Sequence, residues 1–161
     1  MAIREIRLGP GDIHFGGGPT RLRALLGSCV AIALWHPGLR IGGMCHVMMP
    51  GSSGDRDKED SRYVDDALRI FERHMRRNGT GAGDYEGGLI GGGNMFSPRV
   101  FADEREIGRL NVDDTLSRLE VMGIRVVARD CGGEGYRNVA FDLWNGELRL
   151  SHNAPELRLP T

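Results

Sequence analysis

One α/β (α+β) layer domain is what this sequence predicts, a compact sandwich of mixed and antiparallel β-sheet packed with two main helices. Three observations lead there. Apolar, β-branched runs at 29–48 and 124–151 read as strands. Segments 62–77 and 112–122 carry helical spacing and helix end signals. No repeat or linker divides the 161 residues, and that length suits one domain with a real core.

Residues 3–8 suit a first strand, followed by a Gly/Pro-rich loop through Thr20. Residues 29–48 form a hairpin around His36-Pro37-Gly38-Leu39, with Pro supplying a fixed φ and Gly a permissive one. The polar stretch 50–61 has no periodicity and reads as an exposed, mobile loop. A helix over 62–77 follows from Val64, Ala67, Leu68, Phe71 and Met75. Asp60 or Ser61 would cap its start, and Asn78-Gly79 would end it. A second helix is expected over 112–122, with Asn111 as N-cap, Asp113 and Asp114 at the positive end of the dipole, and Gly123 as the stop. Residues 124–128 are strand-like, and 137–143 with 147–151 flank Asn145-Gly146, a two-residue hairpin signal.

Composition excludes several classes. A formal net charge of −1 gives no bias toward nucleic acid or an anionic membrane. No segment approaches the ~20 continuous apolar residues of a membrane span, and the first residues carry no secretory h-region. A cytoplasmic protein is expected, with Cys29, Cys45 and Cys131 reduced. An odd cysteine count without CxxC spacing argues against a disulfide framework and a structural zinc site. Gly91-Gly92-Gly93 lacks the Lys and the register of a phosphate loop, so nucleotide binding is rejected. His14, His36, His74 and His152 have no ligand-like spacing and read as surface residues.

Cys29 and His46 carry the chemistry. With a turn at 36–39, Trp35 lies opposite Arg40, and continuing the ladder sets Cys29 opposite His46 on one face. Cys45 then falls on the other face with Ile32, Leu34, Ile41 and Val47, as a core residue. A thiol with a pKa of about 8.5 is mostly protonated at neutral pH, and an adjacent imidazole can take its proton. Gly27 and Ser28 form a compact turn whose N–H groups can approach an oxyanion. The bland alternative is a buried Cys serving as a small hydrophobe beside a structural His.

The stretches Leu25-Leu26-Gly27-Ser28-Cys29-Val30-Ala31 and Gly42-Gly43-Met44-Cys45-His46-Val47-Met48-Met49-Pro50 resemble the CheD family of chemoreceptor glutamine deamidases. Arg62-Tyr63-Val64-Asp65, Gly92-Gly93-Asn94-Met95-Phe96, Gly108 with Asn111, and Gly132-Gly133 through Arg137 to Phe141 agree with it. The resemblance spans about residues 20–150 of a single domain, 1–161. It implies a sandwich fold similar to the catalytic domain of cytotoxic necrotizing factor toxins. It also implies deamidation of glutamine side chains on methyl-accepting chemotaxis receptors through a thioester, with Cys29 as nucleophile and His46 as general base. No metal or organic cofactor is implied.

Family members commonly carry a threonine five or six residues before the cysteine, as third member of the site. Here those positions are Ala24 and Arg23. Ser28, Asn94 or a backbone carbonyl is left to orient the imidazole, and Gly27, Ser28 and Asn94 are the candidate substrate-binding or oxyanion residues. The competing reading is a non-catalytic adaptor for receptors or for a CheC-type phosphatase. A third is a receptor methylesterase using the same dyad.

Overall fold

The computed structural model describes residues 2–55, 57–94 and 102–153. In chain order its elements are β1 (Arg4–Arg7), β2 (Ile13–Gly17), β3 (Thr20–Leu26), β4 (Val30–His36), β5 (Ile41–Val47), α1 (Val64–Arg77), β6 (Glu86–Gly91), α2 (Ala102–Met122), β7 (Arg125–Cys131), β8 (Tyr136–Asp142) and β9 (Leu148–Asn153). A short 3-10 turn, Ala82–Asp84, precedes β6. The strands form two mixed sheets, β1-β3-β8-β9 and β2-β5-β4-β6-β7. β1 runs parallel to β3 and β6 parallel to β7, while the other pairs are antiparallel. The α+β sandwich expected from the sequence is therefore present, with two helices.

Strand alternation builds three layers. On β4, Ala31 and Ala33 face the first sheet and pack with Leu22, Ala24, Leu26, Val139 and Phe141. Val30, Ile32 and Leu34 face the other way, toward Val64, Leu68, Phe71 and Met75 of α1 and Val112 and Leu119 of α2. A sheet buried on both faces needs apolar residues at successive positions, which is why β4 reads as a continuous apolar run. Full burial of a side chain such as Phe71 or Leu34 contributes about 1.5–3 kcal/mol.

The β4–β5 hairpin closes one residue later than the sequence suggests. The loop is Pro37-Gly38-Leu39-Arg40, closed by the Arg40 N–H on the His36 carbonyl at 2.9 Å, while the Leu39 N–H donates to His36 Nδ1 at 3.0 Å. Arg40 takes a positive φ of 53°. Trp35 consequently pairs with Gly42, and His46 pairs with Ala31 rather than with Cys29. The ladder moves by two residues, the period of a strand, so every side chain keeps its expected face. Cys45 lies in the helix-side core with Ile32, Leu34 and Val47.

Both helices differ from expectation at their N-termini. The N-cap of α1 is Tyr63, without a side-chain cap bond. Asp60 instead binds Arg62, and the Ser61 hydroxyl donates to the Gly11 carbonyl. The C-terminus ends as read, at Asn78 followed by Gly79 with φ 69°. α2 begins at Ala102, so Asn111 is not a cap but a buried residue in mid-helix. The polar segment 50–61 is tied to α1. The Ser53 hydroxyl donates to Asp66 at 2.6 Å, the Ser52 hydroxyl at 3.1 Å and the Asp60 N–H at 2.8 Å.

Candidate active site

Cys29 sits in the turn Gly27-Ser28-Cys29, where the chain leaves β3 of one sheet and enters β4 of the other. All three carbonyls of this turn are held. The Gly93 N–H donates to Gly27 O at 2.9 Å and the Gly92 N–H to Cys29 O at 2.9 Å. Asn111 Nδ2 donates to Ser28 O at 3.3 Å. None of the turn's own N–H groups donates to a protein acceptor among the described residues. The turn itself is half-buried.

The glycines around it permit this packing. A Cβ on Gly91 would stand 2.3 Å from the Cys29 carbonyl oxygen, and one on Gly92 would stand 2.5 Å from Val112 Cγ2. The backbone of β6 can bind the Cys29 turn and receive α2 only where side chains are missing.

His46 is 3% exposed. Its Nδ1 lies 2.9 Å from the Leu8 carbonyl oxygen. A carbonyl only accepts, so Nδ1 carries the proton and Nε2 of the neutral ring holds the free lone pair. Its backbone is clasped by the loop after β1, with its N–H donating to Asp12 O at 3.0 Å and its carbonyl accepting the Gly11 N–H at 2.8 Å. The ring helps line a pocket of about 350 Å³ with Leu8, Gly9, Arg23 and Ala24. Thus Ala24 offers no hydroxyl beside His46, and the orienting acceptor is a backbone carbonyl. A backbone group leaves no side-chain motif, so only the third of the alternatives read from sequence points to it.

Electrostatics leave both groups neutral at rest. Burial pushes the Cys29 thiol above its ordinary value. Burial likewise pushes the His46 imidazole down, opposed by its bond to Leu8 and the charge of Asp12. The two share the face toward the first sheet but stand diagonally, and no hydrogen bond joins thiol to ring. Cys45 is fully buried, and its thiol is pushed up to about 12. Cys131 donates to the Leu89 carbonyl at 3.3 Å.

Of the other residues singled out, Gly27 and Ser28 adjoin Cys29. Asn94 follows Gly93, whose N–H holds Gly27 O, and its backbone bonds to Gly133 and Gly135, each at 2.8 Å. It lines a second pocket of about 300 Å³ with Cys131, Arg109 and Arg129, away from the one His46 lines. Met95 and Phe96 of the glycine motif lie outside the described residues. Among the described residues no three His, Cys, Asp or Glu side chains are grouped to hold a metal ion. No described helix is long and apolar enough to cross a membrane.

Comparison with known proteins now bears on this geometry. The CheD family, described as chemotactic sensory transduction, matches residues 48–152. A Pseudomonas savastanoi pv. phaseolicola protein named "Probable chemoreceptor glutamine deamidase CheD" is 45% identical over 97% of this chain and 89% of its own. The Pseudomonas fluorescens protein of that name is 45% identical over 94% of this chain and 86% of its own. A Dechloromonas aromatica relative, "Probable chemoreceptor glutamine deamidase CheD 3", is 38% identical over 92% and 88%. Similarity of this extent, running through both the Cys29 turn and the His46 strand, makes the chain a member of the CheD family.

Proposed function

We propose that this chain is a protein-glutamine deamidase of chemotaxis receptors, with residues 1–161 as one catalytic domain and Cys29 as its nucleophile. The observation that carries the substrate class is the 45% identity, over 97% of the chain, to a protein named for that activity. The Cys29 turn, with its carbonyls tied back and its N–H groups bonded to no acceptor among the described residues, supports acyl transfer as the reaction type.

His46 Nε2 takes the Cys29 proton as the sulfur attacks the carboxamide carbon of glutamine. The carbonyl oxygen becomes an oxyanion, received by N–H groups of Gly27, Ser28 and Cys29. The imidazolium returns its proton to the departing nitrogen, and ammonia leaves a thioester on Cys29. Water, deprotonated by the same Nε2, attacks the thioester and releases glutamate and the thiol. Diagonal positions on a sheet stand about 7–8 Å apart, so the reaction requires the thiol and the imidazole to draw together when substrate binds. The Leu8 carbonyl serves as the orienting third group in place of a threonine at Ala24 or Arg23. The reaction consumes only water, and its protein substrate places the enzyme in the cytoplasm.

Mass spectrometry of receptor cytoplasmic fragments, incubated with wild type and with Cys29→Ala, tests this. A gain of about 1 Da at glutamine that requires Cys29 is expected of thiol catalysis. A second reading, an adaptor binding receptors or a CheC-type phosphatase, is favoured by the missing thiol–imidazole hydrogen bond. Binding to receptor fragments without any mass gain would establish it instead.

A further inference from the structure

Asn111 is fully buried in the middle of α2, where an amide side chain has no helical purpose. Its Nδ2 donates to two carbonyls far apart in sequence, Ser28 O at 3.3 Å and Met48 O at 2.9 Å. Both neighbours are acceptors, so the NH2 end must face them. Its Oδ1 is buried without a partner among the described residues, which costs stability that an apolar residue there would not.

The two carbonyls flank the proposed dyad. The β4–β5 ladder ends at Val30 and Val47, and the next rung would join Cys29 to Met48. Instead the Met48 N–H donates to Arg62 O at 2.7 Å, and Asn111 bridges the gap from the side. Because a trans peptide is planar, its C=O and N–H point in opposite directions. Fixing Ser28 O toward α2 therefore aims the Cys29 N–H away from the helix, and no described residue accepts its hydrogen bond. Gly108, one turn earlier on the same helix face, lies against the backbone of Gly92 and Gly93 and lets α2 come this close.

We propose that Asn111 is a positioning residue whose carboxamide sets the Ser28–Cys29 peptide, so that the Cys29 N–H meets the developing oxyanion, and keeps His46 level with the thiol. This rests on the deamidase reading. Losing an oxyanion donor costs about 10²–10³ in kcat. Misaligning one in Asn111→Ala should cost roughly 10–100-fold in kcat with KM within about twofold. Asn111→Ser, which keeps one donor, should fall between it and wild type.

Thr115→Ala is the control. Thr115 is also buried on α2, and its hydroxyl donates to Asn111 O at 2.7 Å rather than to Ser28 or Met48. It should lower thermal stability while leaving kcat within about twofold. A second readout is independent of activity. The carbonyl-carbon resonances of Ser28 and Met48 should move upfield in Asn111→Ser and Asn111→Ala but not in Thr115→Ala. Equal kcat loss in Asn111→Ala and Thr115→Ala, or unmoved resonances, would overturn the proposal. Failure of wild type to deamidate would strike the functional reading alone, and the resonances would still judge the clasp.

Discussion

Replacing Gly108 by alanine should lower stability, although the same change within a helix ordinarily raises it by about 0.5–1 kcal/mol. A Cβ at Gly108 would lie 2.5 Å from Gly92 O, 2.8 Å from Gly92 C and 3.1 Å from Gly93 O. All three are backbone atoms of the segment that holds the Cys29 turn. Restoring ordinary contact at 3.4 Å requires α2 to retreat by about 0.9 Å, the difference from 2.5 Å, against a packed interior. Overpacking of this kind costs roughly 1–3 kcal/mol, which for a chain of this size lowers Tm by about 2–12 °C. The same retreat stretches the Asn111 bonds to Ser28 and Met48, so kcat should fall alongside Tm. Calorimetry and steady-state deamidation on one preparation read both. A Tm at or above wild type would refute the close-approach reasoning, and an unchanged kcat would refute its link to the site.

Other consequences concern charge and thiols. The native state favours neutral His46, so the base stays deprotonated below its ordinary 6.5. The acid limb of kcat/KM should accordingly lie below pH 6.5, and a limb above 7 would contradict the burial of the ring. Iodoacetamide should label Cys29 well before Cys45 in the native protein, and Cys45→Ala should remain active, because the Cys45 thiol is fully buried and pushed up to about 12. Labelling of Cys45 at the rate of Cys29 would contradict that placement. Burial alone would raise the Asp66 carboxyl, but hydrogen bonds from Ser53, Asp60 and Ser52 outweigh it and hold it below 3.8. Its contribution to stability is therefore present above that pH and lost as pH falls through the lowered value. Asp66→Ala should cost about 2–3 kcal/mol and speed proteolysis within 52–60, and unchanged cleavage would contradict the tether.

The fold was legible where side chains set the pattern. α1 and the faces of β4 and β5 follow from apolar spacing, and Asn145-Gly146 marks the β8–β9 turn, but the loop is the four residues 143–146 rather than two, with the Asp142 N–H donating to Glu147 O at 2.9 Å and Phe141 opposite Leu148. Strands β2 and β6 are hard to see because glycines occupy them for close packing; a Cβ on Gly88 would lie 2.8 Å from Leu148 Cδ2. β3 carried a readable alternation, Thr20, Leu22, Ala24 and Leu26 buried between Arg21, Arg23 and Leu25, hidden by the glycines before it. The hairpin register turned on Arg40 adopting a positive φ, which no propensity rule anticipates for arginine. At the site, the placement of Cys29 and His46 on one face follows from parity, although the expected pairing does not form and His46 stands opposite Ala31. The Leu8 carbonyl was not, because any residue supplies one. Asn111 reads as a cap because an asparagine before Asp113 and Asp114 looks like a helix start, and only the packing of α2 shows its real partners.

Covalent capture at Cys29 tests the central claim most directly. Wild-type protein mixed with a receptor cytoplasmic fragment, quenched in acid during turnover and mapped by mass spectrometry, should carry the fragment as a thioester on Cys29. The adduct should be absent in Cys29→Ala along with all deamidation. Deamidation that persists in Cys29→Ala, with no adduct on the wild-type thiol, would contradict the account.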